Sequence, residues 1–177
     1  EILSTVSVDN LVYISSIDVY EKVIEVNEDD DVCFTHHPYG ANRANFEKFI
    51  LDNFNSKSYR LPIVFGSRFK KNYLFDFVNR NNLSKIYLDN SVQFYDVNDL
   101  SHDINIFRSI PSRVVNLATE PVTLREIAEK YFPDVVSHCA VGQNYSSDFK
   151  TKYTSTGYFY SKEDMLSKIG KLKSTVK

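Results

Sequence analysis

The sequence has no tryptophan, one methionine, two cysteines and five glycines in 177 residues. Two cysteines, Cys33 and Cys139, build no disulfide framework, so the expectation is a reduced chain held by apolar burial. No stretch approaches the roughly 18 apolar residues of a membrane span. No leader pattern of charge, apolar run and small-residue cleavage site follows Glu1. A cytoplasmic protein without membrane contact is therefore expected. Basic charge is also in short supply: 21 Lys and Arg stand against 23 Asp and Glu, a net charge of −2. Only the tail from Lys168 to Lys177 is basic, which argues against a nucleic-acid surface. The glycines form no Gly-x-x-Gly-x-x-Gly turn, so these residues contain no loop of the kind that cradles a pyrophosphate. No Gly-x-Ser-x-Gly elbow exposes a serine, which removes the usual hydrolase arrangement. His36-His37 and Cys33 have no second ligand pair at metal-binding spacing, so no metal is expected.

What is present is ordinary globular material: 42% hydrophobic and 25% charged residues, enough for one domain with a real core. Leu11–Ile14 is a short apolar, β-prone run. Glu1–Val6 reads as the end of a helix already under way. From Tyr39 to Phe54 the residues Phe46, Phe49 and Ile50 share a helical face, with Pro38 where a helix start tolerates it. Tyr59–Phe65 reads as one strand closed by Gly66, and 72–79 as a helix through Leu74, Phe75 and Val78. Lys85–Leu88 and Val92–Tyr95 flank Asp89-Asn90, which predicts a tight hairpin. Leu100, Ile104 and Phe107 mark a helix stopped near Pro111, and Val114–Leu117 a strand. Thr123 N-caps Leu124–Tyr131, with Glu126 at the capping-box position. Asp134–Phe159 has no clear period and reads as loop with short strands; Glu163–Leu172 is a last amphipathic helix. Strands alternating with helices predict an α/β fold with a parallel sheet.

One constellation carries chemistry. The apolar run ends in Ser15-Ser16, and 23 residues beyond Ser16 the segment Tyr39-Gly40-Ala41-Asn42-Arg43 opens a helix. A strand delivering a hydroxyl and a helix delivering a phenol and a cation make a proton-transfer site. A free phenol has a pKa of about 10 and needs help near neutral pH. A cation one helical turn along supplies it by favouring the phenolate.

These residues carry a resemblance. Ser15-Ser16-Ile17-Asp18-Val19-Tyr20, Tyr39-x-x-x-Arg43 and Arg60-Leu61-Pro62-Ile63-Val64-Phe65-Gly66 stand in order. Val97-Asn98-Asp99-Leu100 and the segment from Asn116 to Leu124 follow them. Together they resemble the C-terminal half of an extended short-chain dehydrogenase/reductase, of the branch of NAD-dependent nucleotide-sugar epimerases and dehydratases. The likeness runs in register over about four fifths of the 177 residues. It implies the C-terminal portion of a Rossmann-like parallel sheet with helices, plus a small substrate-binding α/β subdomain. Residues 1–66 would end the core with the catalytic strand and helix. Residues 67–177 would be a mixed substrate-binding region, with 93–120 returning to the core sheet.

The resemblance also implies roles. Ser16 would hydrogen-bond the substrate hydroxyl or carbonyl, and Tyr39 would be the general base or acid. Tyr39 and Arg43 would meet the nicotinamide ribose, Leu61 and Pro62 would back the nicotinamide, and Ile63 would touch the sugar nucleotide. Three departures stand out. The family's lysine is Arg43 here, which keeps the charge on a larger, planar group. A frequent asparagine is Ile63, and the first four strands with their glycine turn are missing. NAD(P) is therefore expected in a full-length protein and not in this chain alone; a nucleotide sugar is the expected partner. Three function classes stay open: the substrate half of an epimerase or dehydratase, a regulatory binding relative, and a structural partner pairing as a homodimer through helix 39–54.

Overall fold

The computed structural model describes residues 5, 7–66 and 68–175. Three parallel strands, β1 (Leu11–Ser16), β2 (Ser56–Leu61) and, from further along the chain, Val114–Asn116, lie in that order. Ile14 faces Tyr59 and Ser16 faces Leu61 in register, while Tyr59 faces Val115. Helix α1 (Pro38–Asn53) makes the crossover from β1 to β2 and packs on both. Such a connection is what a parallel pair requires. Of the helix remnant expected over Glu1–Val6, only Thr5 lies among the described residues.

Side chains on β2 alternate between two faces, as strand geometry demands. Tyr59 and Leu61 enter an apolar cluster with Tyr95, Val115 and Leu117. Ser58 and Arg60 turn to α1, where both hydrogen-bond Glu47. The tyrosine–leucine face is covered by Leu100, Ile104 and Phe107, which sit at helical spacing.

The strand expected over Tyr59–Phe65 is two strands. Pro62 has no N–H for a ladder, and the chain changes sheets there. Beyond it β3 (Ile63–Phe65) pairs in parallel with a segment thirty residues on, Phe94–Asp96. α2 (Tyr73–Asn79) follows, capped by Asn72, whose Oδ1 accepts the Phe75 N–H at 3.0 Å.

The hairpin expected around Asp89-Asn90 does not form. β4 (Ser91–Val92) pairs antiparallel with Val122–Thr123, β5 (Phe94–Asp96) is the partner of β3, and Tyr87 bridges to Ala140. The turn residues are used at long range instead. The Asp89 carboxylate accepts from Arg125 at 2.8 Å and from the Gly142 N–H at 2.9 Å. Within residues 93–120, β5 therefore lies outside the core sheet, and β6 (Val114–Asn116) lies in it, beyond α3 (Leu100–Phe107).

β7 (Val122–Thr123) leads into α4 (Leu124–Tyr131) through a complete capping box between Thr123 and Glu126. Pro133–His138 is a 3-10 turn in the stretch expected as loop, and the remainder up to Tyr160 touches the rest of the chain through isolated bridges. α5 (Lys162–Thr175) closes a second body. Its core joins Phe65, Leu74, Phe77 and Phe94 to Leu124, Ile127, Met165 and Ile169. Among the described residues no helix is long and apolar enough to cross a membrane.

Candidate active site

Ser16 is the last residue of β1, at the carboxyl end of a parallel strand, where open α/β sheets take their ligands. It also N-caps the short 3-10 turn Ile17–Val19. Its Oγ accepts the Asp18 N–H at 3.2 Å and donates to Asp18 Oδ2 at 2.7 Å. The hydroxyl proton is thus committed to a carboxylate, and the oxygen keeps acceptor capacity.

Tyr39 is the second residue of α1, behind Pro38 at the first helical position. His37 caps this end, its Nδ1 accepting the Gly40 N–H at 3.2 Å. His36 Nε2 lies 2.6 Å from the Asp18 carbonyl. Gly40 lets the helix and the β1 turn meet: a Cβ there would collide with the Asp18 carbonyl oxygen and His36 Nε2. The two histidines and the glycine pin the start of α1 against the end of β1. The Tyr39 ring is 52% exposed.

Arg43 follows one turn later, with its guanidinium carbon 5.2 Å from the centre of the Tyr39 ring. The nearby Tyr13 phenol, chiefly, and then the Tyr39 phenol hold the arginine pKa above its ordinary value. A cation at this distance attracts the ring face.

Ser16, Tyr39, Pro62 and Ile63 line one cleft of about 270 Å³. Two of the expected residues are not in its wall. Leu61 is buried in the apolar cluster behind the sheet, and Arg43 stands behind Tyr39. The cleft contains residues for which the sequence offered no role: Asp18, Lys71, Asn72 and Tyr145. Asp18 lies inside the Ser15–Tyr20 motif. Asn72 holds φ at 118°, a backbone setting rare for side-chain-bearing residues. Its amide spans from the Val64 carbonyl, 2.8 Å away, to the Phe75 N–H.

Tyr145 arrives from the polar stretch near the C-terminus. Burial, first, and the Asp18 carboxylate, second, push its phenol above the ordinary value. Buried Asn90 holds the loop that bears it, with Oδ1 accepting the N–H groups of Asn144 at 2.8 Å and Tyr145 at 3.0 Å.

The cleft falls just below the roughly 300–1,000 Å³ typical of small-molecule sites, a size for one ring and not for a dinucleotide. Of the residues expected at the nicotinamide of NAD(P), Tyr39 and Pro62 are in the cleft wall and Arg43 and Leu61 are not. No Gly-x-x-Gly-x-x-Gly turn stands in the sequence to receive its pyrophosphate.

No family model matches the sequence. No curated protein matches it either. Solved structures do match the fold. WbmG of Bordetella bronchiseptica, in complex with NAD and UDP, superposes with a TM-score of 0.72 at 18% identity, over 95% of this chain and 60% of that one. The UDP-N-acetylglucosamine 4-epimerase of Methanobrevibacter ruminantium M1, in complex with UDP-N-acetylmuramic acid, gives 0.68 at 17%, over 94% and 62%. The dTDP-glucose 4,6-dehydratase of Bacillus anthracis, in complex with NAD, gives 0.69 at 14%, over 94% and 62%. The chain has the fold of these enzymes. It spans about 60% of the length of the chains that it matches. The strand ending in Ser16 and the first turn of α1, which bears Tyr39, meet at one cleft.

Proposed function

We propose that this chain supplies the sugar-binding and proton-transfer part of an NAD(P)-dependent nucleotide-sugar epimerase or dehydratase. One observation carries the reading: Ser16 and Tyr39, brought from different elements, line a single ring-sized cleft at the carboxyl end of β1. In this reading Ser16 Oγ, which donates its own proton to Asp18, accepts a hydrogen bond from a sugar hydroxyl. Tyr39 exchanges a proton with a sugar hydroxyl, and Arg43 stabilises the phenolate through its charge over the ring. Ile63 packs on the sugar face, and Pro62 lies where a nicotinamide would stack. NAD(P), when bound, would supply hydride transfer; these residues hold no glycine-rich turn for its pyrophosphate.

Calorimetric titration tests both halves of the proposal. UDP-glucose is expected to bind the chain weakly and saturably, and NAD poorly or not at all. Absence of any UDP-glucose binding would overturn the substrate assignment; tight, stoichiometric NAD binding would overturn the cofactor assignment.

A second reading has its own support. Phe46 is 42% and Phe49 38% exposed on α1, their rings stacked at 6.2 Å with Tyr13 edge-on to Phe46. Such an aromatic patch suits pairing of two copies through this helix. Sedimentation equilibrium of wild type against Phe46→Lys decides it: a dimer that Phe46→Lys dissolves supports the pairing, and a monomeric wild type sinks it.

A further inference from the structure

We infer that Tyr145 is a second phenol of the substrate site, a hydrogen-bond donor that fixes the sugar ring within the cleft it shares with Tyr39. The inference rests on the proposed function and adds a residue that no part of that proposal uses.

Three observations lead to it. The first is location. Tyr145 comes from a segment more than a hundred residues beyond Tyr39, yet both line the 270 Å³ cleft together with Ser16 and Asp18. At 36% exposure the ring is reachable from solvent. The second is preparation. Its loop is irregular, but Asn90 is only 2% exposed and holds it with both ends of its amide. Oδ1 takes the N–H groups of Asn144 and Tyr145, and Nδ2 donates to the Asn144 side chain at 2.9 Å. The Ser147 N–H, two residues on, donates to the Ser91 carbonyl at 2.9 Å. A loop pinned on both sides of one tyrosine presents that side chain with little freedom, as a binding site requires.

The third observation is electrostatic. The groups near the Tyr145 hydroxyl are Asp18 from the turn after β1, Tyr73 from α2 and Ser147 from its own loop. Lys71 and Tyr39 stand on other parts of the same wall. Burial and the Asp18 carboxylate both oppose ionisation, so the phenol keeps its proton. Tyr39, by contrast, has a guanidinium over its ring. Two tyrosines face one cleft with opposite charges behind them, an arrangement that separates donor from base. Tyr39 then exchanges the proton, and Tyr145 only donates a hydrogen bond.

The test compares Tyr145→Phe with wild type for two probes, UDP-glucose and UDP, by calorimetry. Loss of one neutral hydrogen bond is expected to weaken UDP-glucose about three- to tenfold. UDP lacks the sugar and should bind both proteins alike. Equal weakening of both probes, or no change for UDP-glucose, overturns the inference while leaving the proposed function standing. No binding of either probe to wild type overturns both. A second measurement needs no ligand: NMR titration of the tyrosine ring carbons. Tyr145 is expected to ionise above the ordinary phenol value, and Asp18→Asn should lower it. Tyr145 ionising at or below the ordinary value, or no response to Asp18→Asn, removes the electrostatic basis.

Discussion

The Arg60 guanidinium meets the Glu47 carboxylate in the buried layer between β2 and α1, with Nη2 2.5 Å from Oε1. Both side chains are 5% exposed or less. Ser58 Oγ donates to the same carboxylate at 2.8 Å, and Arg60 Nη1 donates to the Tyr20 hydroxyl at 2.6 Å. Tyr20 in turn receives a hydrogen bond from Asn116 on β6 at 3.0 Å. One ionic knot therefore ties both core-sheet neighbours to the helix that bears Tyr39. Burial raises the Tyr20 pKa despite the arginine beside it, so the phenol stays neutral.

Removing one partner strands the other charge. Arg60→Leu should cost about 3–5 kcal/mol, the usual loss when a buried pair is broken from one side. The double variant with Glu47→Leu should recover a large part of it. Urea denaturation with an unchanged m-value measures both; a double variant as unstable as the single one would contradict this account.

Gly40→Ala should destabilise the chain by about 1–3 kcal/mol, the range for an overpacked contact. The added methyl meets the Asp18 carbonyl and His36. Because the first helical turn must back away, affinity for UDP-glucose should fall with it. Thermal melts and calorimetry on the same sample read the two effects. Wild-type values in both would show that the approach is looser than described.

In a longer chain that includes a glycine-rich turn, Tyr39→Phe should lower turnover of a nucleotide sugar by about 2–4 orders of magnitude. Stability should be unaffected, since the ring is half exposed. Arg43→Lys preserves the charge and should hold or raise activity. Turnover by Tyr39→Phe equal to the parent's would remove the proton-transfer role.

The capping box makes a pH prediction. Burial pushes the Glu126 carboxyl up, but the Thr123 N–H and hydroxyl and the Lys162 ammonium outweigh it, so its pKa lies below the ordinary value. A depressed folded-state pKa stabilises the fold above the unfolded value, about 4.3. That contribution disappears as pH falls through the lower folded value. Asp89, drawn down by Arg125 and then the Gly142 N–H, adds the same sign. Urea midpoints measured from pH 7 to pH 3 should therefore fall at the acid end, with a shallower slope for Glu126→Gln. Thr123→Ala should cost about 1 kcal/mol at neutral pH.

What was legible in the sequence was what neighbouring residues decide among themselves. Thr123 and Glu126 stand three apart and form the box that their spacing implies. Pro38, with His37 as cap, starts α1 one residue before the expected Tyr39. Ser16, Tyr39, Pro62 and Ile63 were found through the order of motifs, and they share the cleft. Long-range choices were hidden. Val92 could pair with a neighbour or with Val122, and nothing local favours the distant strand that it takes. Leu61 sits beside Pro62 in sequence, but strand alternation sends it to the opposite face, into the core. Tyr145 reaches the cleft only because Asn90, in an unrelated turn, grips its backbone.

The break at Pro62 has a mechanical meaning. Of the residues that line the cleft, Ser16 and Tyr39 belong to the three-stranded sheet and its helix, while Lys71, Asn72 and Tyr145 come from segments beyond the point where the chain changes sheets. A molecule seated between them works as a rivet across the seam. At a hundredfold excess over its dissociation constant it would add about 2.7 kcal/mol to any opening that separates the walls. Hydrogen exchange should then slow together at the ends of β1 and β3, two strands that share no ladder, and the pair would melt as one.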